Sequence, residues 1–260
     1  MGFVNCDVDR YMVPAVEQAA RVLFCLAAGS SSQMSLPEIC SQVGIHKSKA
    51  YSILQTMQRF GLVLRCGDRK GYSLGPGLIA LSRKVLDDLN IPRLAAPLLE
   101  ELATGIGGTA TLGLIVDRMV YVVATHEGGV DIGVTIRTGH RFPLTYGSHG
   151  KAIAAFLPDG ELDQLLQEDK LYFHGTAERL DRDRLRQELA DCRRDGFAMD
   201  LGEMKPGLNS VAAPVVGSGG ATIGYIALVG LFPDEAARQF GPKVAVAVRQ
   251  LSLQLGARVD

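Results

Sequence analysis

The sequence lacks the residue patterns of several common classes of protein. Its five cysteines are scattered without a C-x-x-C pair, which argues against a zinc ribbon and a thioredoxin-like motif. Its five histidines show no close metal-ligand spacing, so we predict neither a metal site nor a cofactor. No apolar run approaches the roughly 20 residues of a membrane-spanning helix, and the N-terminus has no signal-peptide core. We therefore expect a cytoplasmic protein without membrane contact, beginning with a mobile tail over residues 1–12.

An excess of one charge sign is also absent. The 260 residues include 27 lysines and arginines and 28 aspartates and glutamates, a net charge of −1, which argues against a protein that coats nucleic acid along its whole surface. Between residues 35 and 75, however, six basic residues stand against two acidic ones, a local charge of +4. The basic residues of this stretch are Lys47, Lys49, Arg59, Arg65, Arg69 and Lys70.

Two helices are predicted at the start of the chain. Apolar residues at helical spacing predict the first over residues 16–28. Ser35 is a candidate N-cap for the second, and Glu38, three residues later, completes a capping box. Gly44 ends this helix.

A third helix and a hairpin follow at once. The helix is predicted over residues 47–60 and stops at Gly61, which tolerates left-handed geometry. Short apolar runs on both sides of "CGDRKG" predict a two-stranded hairpin. The order of these elements is typical of a winged helix-turn-helix. The inward-facing residues predicted on the third helix are Ala50, Ile53, Leu54, Met57 and Phe60.

The remaining sequence predicts a second, larger domain. We place the helix-turn-helix domain at residues 13–75, a linker helix at 76–91 and a mixed domain at 92–260. Strand patterns in the last segment predict a mainly antiparallel sheet, with residues 131–137 as a third strand candidate. The predicted fold class is therefore α+β.

The start of the third helix has the chemistry of a DNA-recognition helix. Its first residues would meet base edges and phosphates in a major groove, and basic side chains would provide salt-dependent attraction to phosphate. The alternative is an ordinary solvated helix face. The candidate DNA-binding residues are Lys47, Ser48, Lys49, Tyr51, Ser52, Gln55, Arg59, Arg65, Arg69 and Lys70.

Several motifs together resemble one known family. "VEQAARVLFCLA", "SLPEICSQVGIHKSKAYSILQTMQRFGLVLR" and "GYSLGPGLIALS" are similar to the N-terminal half of the IclR-type transcriptional regulators. "GSHGKAIAAFLP", "DGFAMDLGEMKPGLNSVAAPV" and "GYIALVG" resemble the effector-binding domain of the same family, in the same order. The resemblance extends from about Val13 to near the C-terminus.

This resemblance implies a winged helix-turn-helix homodimer, with a GAF-like effector domain that often forms tetramers. It also implies that a small organic ligand alters binding to a palindromic double-stranded DNA operator. Arg21 matches a basic family position on the first helix. Gln18 and Ser52 stand where the family often has arginine, which indicates weaker specific binding or a different operator.

A second informative stretch is "LTYGSHGKAIAAFL". A glycine-rich turn that opens a helix directs backbone N–H groups outward, an environment suited to a carboxylate. Ser148 is the candidate N-cap, His149 an additional donor, and Gly150 a point of close ligand approach. An ordinary Ser-capped helix is the alternative. By resemblance, Asp200 and Ser210 match family positions that face the effector, with Glu203 between them and Ala227 at a position where the family can carry serine. These residues are the candidates for the other wall of a site for a small organic acid. The alternative for Asp200 is an ordinary hydrogen-bonded loop carboxylate.

The residues argue against an enzyme. Ser148 and His149 are neighbours on a helix and point about 100° apart, so the imidazole is poorly placed as a base for the hydroxyl. "GIGGTA" matches a relaxed dinucleotide-binding pattern, but the predicted helix lies before it and the strand after it, the reverse of what that pattern requires. We predict a ligand-responsive transcriptional regulator. The alternative is a small-molecule sensor or enzyme whose helix-turn-helix serves protein contacts.

Overall fold

The structure is a computed structural model that describes residues 12–28, 33–66, 71–88, 90–129 and 133–257. Contacts divide the chain into two compact units, and the division falls between residues 89 and 90. Among the described residues, no helix combines the length and the apolar content needed to cross a bilayer. The predicted tail at residues 1–12 lies outside the described residues apart from Met12.

The N-terminal unit is a helix-turn-helix followed by a small antiparallel sheet, in the strand order β1-β3-β2. Its core is an apolar cluster that includes Val22, Ile39, Leu54 and Val63, each fully buried. The elements are α1 Pro14–Ala28, β1 Met34–Ser35, α2 Leu36–Val43, α3 Lys47–Arg59, β2 Val63–Cys66, β3 Gly71–Leu74 and α4 Gly77–Asp88.

Local sequence signals define both ends of α2. The Ser35 hydroxyl accepts a hydrogen bond from Glu38 N, and Ser35 N donates to the Glu38 carboxylate at 2.7 Å, so the predicted capping box is present. Gly44 ends α2 with a φ of +73°, a left-handed conformation that glycine adopts without steric cost. Phe60 was predicted to face inward, which is wrong: it follows the last residue of α3 and its side chain is 70% exposed.

The C-terminal unit is built on one six-stranded antiparallel sheet, in the order β6-β5-β4-β9-β8-β7. The mainly antiparallel sheet predicted from the sequence is therefore confirmed. Its elements are α5 Asn90–Thr104, β4 Thr109–Val116, β5 Met119–Glu127, β6 Arg141–Pro143, α6 Gly147–Ala154, α7 Asp159–Leu166, α8 Arg182–Asp195, β7 Ala198–Leu201, β8 Asn209–Val216, β9 Thr222–Gly230 and α9 Asp234–Gln254.

The strand predicted at residues 131–137 is wrong for its described part, 133–137, which pairs with no strand. The edge of the sheet is instead formed by β6, which pairs with the start of β5. Val134 and Ile136 are half-buried because they line a cavity. They alternate with exposed residues, as side chains do along a strand, and this pattern led to the wrong prediction.

The two faces of the sheet pack differently. On one face, α5 and α9 cover an apolar cluster that includes Val211, Ala213 and Ile226. On the other face, α6 and α8 cover a second cluster that includes Ala212 and Tyr225. Side chains alternate between the faces along each strand, so the central strands β8 and β9 contribute to both clusters.

Candidate functional site

A cavity of about 330 Å³ lies on the α6 side of the sheet. Its floor is formed by strands β4, β8 and β9, and its walls by the start of α6, the segment 134–136 and the loop after β7. The side chains that line it include Thr111, Val134, Ile136, His140, Phe142, Tyr146, Ser148, His149, Asp200, Met204, Lys205, Leu208, Ser210, Tyr225, Ala227 and Val229.

The first turn of α6 brings Ser148 to the cavity, although the predicted N-cap is wrong. The helix begins at Gly147, whose φ is +51°, two residues earlier than a Ser148 cap requires. Tyr146 is the capping residue, and its side chain makes no cap hydrogen bond. Ser148 lies inside the helix, and its hydroxyl oxygen is 2.6 Å from that of Ser210 on β8. The two hydroxyl groups thus join helix and sheet at the cavity wall.

Asp200 is a buried carboxylate in the same wall, with 1% of its surface exposed. Its Oδ1 accepts hydrogen bonds from the backbone N–H groups of Glu203 at 3.1 Å and Met204 at 3.4 Å. Burial and the negative charge of Glu203 raise its pKa to about 6, against the opposing effects of Lys151 and these two amides. Asp200 therefore titrates close to neutral pH.

His149 lies in a stack of aromatic rings beside the cavity. Its ring centroid is 4.6 Å from that of Tyr225, and the two planes are 13° apart. Burial lowers the pKa of His149 to about 4, although a hydrogen bond to the Pro143 backbone opposes the shift. The imidazole is therefore neutral at pH 7. Since the Ser148 hydroxyl bonds to Ser210, this serine and histidine do not form a nucleophile and base pair.

Two of the predicted effector residues lie outside the cavity lining. A Cβ added to Gly150 would lie 2.4 Å from the Thr145 carbonyl carbon, so this glycine permits the close approach of backbone, not of a ligand. The Glu203 carboxylate forms ion pairs with Lys151, at 2.7 Å, and with Arg184. The cavity brings together the other five: Ser148, His149, Asp200, Ser210 and Ala227.

Lys151 is the centre of an ion-pair network that the sequence did not reveal. Its side chain is 1% exposed, and its ammonium group lies 2.7 Å from Glu203, 3.0 Å from Glu188 and 3.2 Å from the Met199 carbonyl oxygen. The only sequence signal is a lysine within the apolar run "GKAIAAFL". Its two carboxylate partners are distant in sequence, so spacing along the chain does not predict the pairs.

The network also contains a possible metal-ligand set. One ligand atom each from His174, Glu188 and Glu203 lies within 4.8 Å of the others. The Lys151 ammonium already lies between the two carboxylates, so the cluster contains its own cation. Burial raises the pKa of Glu188, but the hydrogen bonds and charges of His174 and Lys151 outweigh it and lower the pKa to about 2.

The candidate DNA-binding residues lie on the surface of the N-terminal unit. Lys47, Ser48, Lys49 and Ser52 are exposed at the start of α3, Tyr51 is 45% exposed, and Gln55 is half-buried. Ser52 donates its hydroxyl proton to the Ser48 carbonyl oxygen at 3.1 Å. Its side chain therefore offers a DNA partner only an acceptor.

The remaining basic candidates are more dispersed. Arg59 at the end of α3 and Arg65 on β2 are exposed. Arg21 on α1 forms an ion pair with Glu17 at 2.5 Å. Arg69 and Lys70 lie outside the described residues. The described part thus presents Lys47, Lys49, Arg59 and Arg65 as exposed cations.

Two family models match the chain over most of its length. The model described as "Bacterial transcriptional regulator IclR C-terminal" matches residues 83–253, and the "IclR helix-turn-helix domain" matches residues 15–65. The glycerol operon regulatory protein of Streptomyces griseus is 30% identical over 251 residues, which cover 94% of this chain and 97% of that protein.

Solved structures share the fold. The crystal structure of an IclR transcriptional regulator from Alicyclobacillus acidocaldarius has a TM-score of 0.83 and 25% identity, covering 95% of this chain and all of that one. An IclR homologue from Microbacterium hydrocarbonoxydans, solved in complex with 4-hydroxybenzoate, has a TM-score of 0.75. At 18% identity, over 92% of this chain and 99% of that one, it shows the fold alone. With models for both halves matched in order, the chain belongs to the IclR family of bacterial transcriptional regulators, which are DNA-binding proteins and not enzymes.

Proposed function

We propose that this regulator binds a double-stranded DNA operator through α3 and the β2–β3 hairpin, and that a small organic acid in the cavity alters its operator affinity. The observation that carries the DNA part is the exposed polar and basic start of α3. This helix is held in place by a fully buried face, Ala50 and Leu54, while the whole chain is nearly neutral. Positive side chains gathered on an exposed helix start provide a salt-dependent attraction to DNA phosphates.

The cavity supports an acidic ligand of small size. At about 30 Å³ per water molecule in the liquid, its volume of about 330 Å³ suits a ligand of about ten non-hydrogen atoms. In the first turn of α6, the N–H groups of Ser148 and His149 lack acceptors within the helix and favour a negative group. The N–H groups of Gly147 and Gly150 are already bonded to the carbonyl oxygens of Tyr172 and Tyr146. Lys205, an exposed residue of the lining, adds a cation.

Ligand binding would act by shifting a population. An effector that binds one relative placement of two DNA-binding units more tightly favours that placement and so changes operator affinity. The proposal includes a homodimer or tetramer, supported by the apolar surface of α4, where Ile79 is 68% and Leu81 58% exposed. Since an operator-binding protein must share the compartment of the chromosome, the proposal implies the cytoplasm.

A gel-shift titration on the DNA upstream of the gene tests operator binding. We expect Lys47→Ala with Lys49→Ala to weaken binding and to reduce the slope of log affinity against log salt by about 2, since each lost phosphate contact removes about 0.9. A matched double variant, Lys170→Ala with Lys243→Ala, removes two exposed lysines of the C-terminal unit and should leave both quantities unchanged. Equal effects of the two double variants would refute the role of α3.

Calorimetry with a panel of aliphatic and aromatic acids tests the ligand site. Ser148→Ala should weaken the binding of any acid that the wild-type protein binds, and Asp200→Ala should weaken the binding of acids whose hydroxyl group donates to this carboxylate. Glu161→Ala on α7 should change neither. Undiminished binding in both cavity variants would place the ligand elsewhere.

A further inference from the structure

His149 has an unsatisfied nitrogen at the cavity. Only 7% of the residue is exposed, its side chain contributes to the cavity lining, and its Nε2 is buried without a hydrogen-bond partner among the described residues. Buried polar atoms are nearly always paired, so each unpaired one requires an explanation. Thr125 and Gln18 also have such atoms, but neither lines the cavity.

The hydrogen bonds of the ring determine which kind of partner Nε2 needs. The ring bonds to the Pro143 backbone, and proline has only a carbonyl acceptor there, so the histidine must donate. Since Nε2 has no partner, the donating atom is Nδ1. The ring is neutral at pH 7, and in a neutral imidazole with Nδ1 protonated, Nε2 is an acceptor. On this assignment, His149 offers a ligand an acceptor, in place of the donor expected from the sequence.

We propose that a bound ligand donates a hydroxyl hydrogen bond to Nε2 of His149, so that the site prefers a hydroxylated acid to the same acid without its hydroxyl group. This inference rests on the proposed role of the cavity as a ligand site. Because Nε2 is covered, the bond requires a small rotation of the ring or of a neighbouring side chain. An acid anion alone provides no proton for this atom.

The rest of the cavity is consistent with a hydroxyl at this point. The imidazole of His149 is flanked by the rings of Tyr225 and Tyr146, at centroid distances of 4.6 and 5.8 Å, so charged groups are poorly solvated beside it. Asp200, another acceptor, disfavours a second negative charge near the same wall. A hydroxyl group satisfies an acceptor without bringing charge.

The first test determines the tautomer. Nitrogen-15 NMR of the labelled full chain at pH 7 reports which ring nitrogen of each histidine carries the proton, and the spectrum of His149→Phe identifies the His149 signals by their loss. We expect the proton on Nδ1 and a bare Nε2. A proton on Nε2 would overturn the proposal whether or not a ligand is known.

The second test compares matched acids by calorimetry: 4-hydroxybenzoate with benzoate, mandelate with phenylacetate, and lactate with propionate. For a pair that binds, we expect the hydroxylated member to bind several-fold to about tenfold more tightly, the effect of one neutral hydrogen bond. His149→Phe keeps the ring stack, and His149→Asn keeps a donor near Pro143. Neither variant places an acceptor at the position of Nε2, so both should bind the two members about equally.

Two results would contradict the proposal: equal affinities in the wild-type protein, or a hydroxyl preference that persists in both variants. Gel shifts with the same acids separate this failure from that of the proposed function. If a bound acid changes operator affinity without a hydroxyl preference, only the His149 inference fails. If bound acids show the preference but never change operator affinity, only the regulatory role fails.

Discussion

Replacement of Lys151 by methionine should destabilise the C-terminal unit strongly. Methionine keeps much of the length and volume of the side chain but removes the ammonium group. Glu203 is then left 11% exposed and Glu188 22% exposed without the cation that lies 2.7 and 3.0 Å from them. Removal of one partner from a buried ion pair costs about 3–5 kcal/mol, because the remaining charge is neither solvated nor paired.

The structure points to the lower end of this range. Arg184 is half-exposed and forms ion pairs with both carboxylates, so part of their charge stays compensated. A loss of about 3 kcal/mol corresponds to a fall in Tm of about 6–12 °C for a domain of this size. Addition of Glu203→Gln to Lys151→Met removes one orphaned charge and should recover part of the loss, which a purely steric effect would not allow.

Differential scanning calorimetry of the full chain measures the unfolding temperature of the C-terminal unit. The control is Arg194→Met on α8, which removes ion pairs from a side chain that is 66% exposed and should cause little change. If Lys151→Met and Arg194→Met lowered Tm equally, or if the double variant were less stable than Lys151→Met, the importance of the buried network would be refuted.

Three further predictions concern stability. Gly150→Ala should lower the free energy of unfolding by about 3 kcal/mol, since its Cβ would overlap the Thr145 backbone. Gly160→Ala in α7 has open space around the new Cβ and should be neutral or stabilising in urea unfolding. Equal effects of the two substitutions would contradict the close packing of Gly150 against Thr145. Ser35→Ala should destabilise the N-terminal unit by about 1 kcal/mol through loss of its cap, measured by urea unfolding. The control is Ser41→Ala, at an exposed position within α2. The pKa of Asp200, about 6 when folded and about 3.9 when unfolded, means that the folded state binds more protons between these values. The contribution of this group to the free energy of unfolding should therefore fall as pH rises from 4 to 6. Urea unfolding at a series of pH values should show this dependence in the wild-type protein and not in Asp200→Asn. The same pH dependence in both proteins would contradict the raised pKa of Asp200.

Local patterns allowed most of the fold to be predicted. The capping box at Ser35 and the left-handed Gly44 depend on residues within one or two turns of each other, so the sequence contains their full explanation. The helices and the antiparallel sheet follow from apolar periods in the same way. The prediction that Phe60 faces inward failed because a residue just past the end of a helix no longer follows the helical period.

The cavity was only partly predictable, because its geometry depends on distant parts of the chain. The glycine turn before α6 indicated a site near Ser148, yet the Ser210 partner of that residue lies 62 positions away. Glu203 was assigned to the cavity from its position in the loop, and the structure turns it toward Lys151 instead. The direction of a loop side chain depends on which buried cation it meets, and no local period encodes that.

The alternation of side chains along β8 and β9 has a consequence for how this protein can change. Ser210 on β8 and Ala227 on β9 line the cavity, whereas their chain neighbours Val211 and Ile226 belong to the cluster under α5 and α9. On these two strands the cavity is therefore separate from the cluster under α5 and α9, although Tyr225 and Ala227 belong both to the cavity lining and to the cluster under α6 and α8. Mutations that change the ligand can therefore occur at cavity-facing positions of β8 and β9 while the residues that pack under α5 and α9 stay the same.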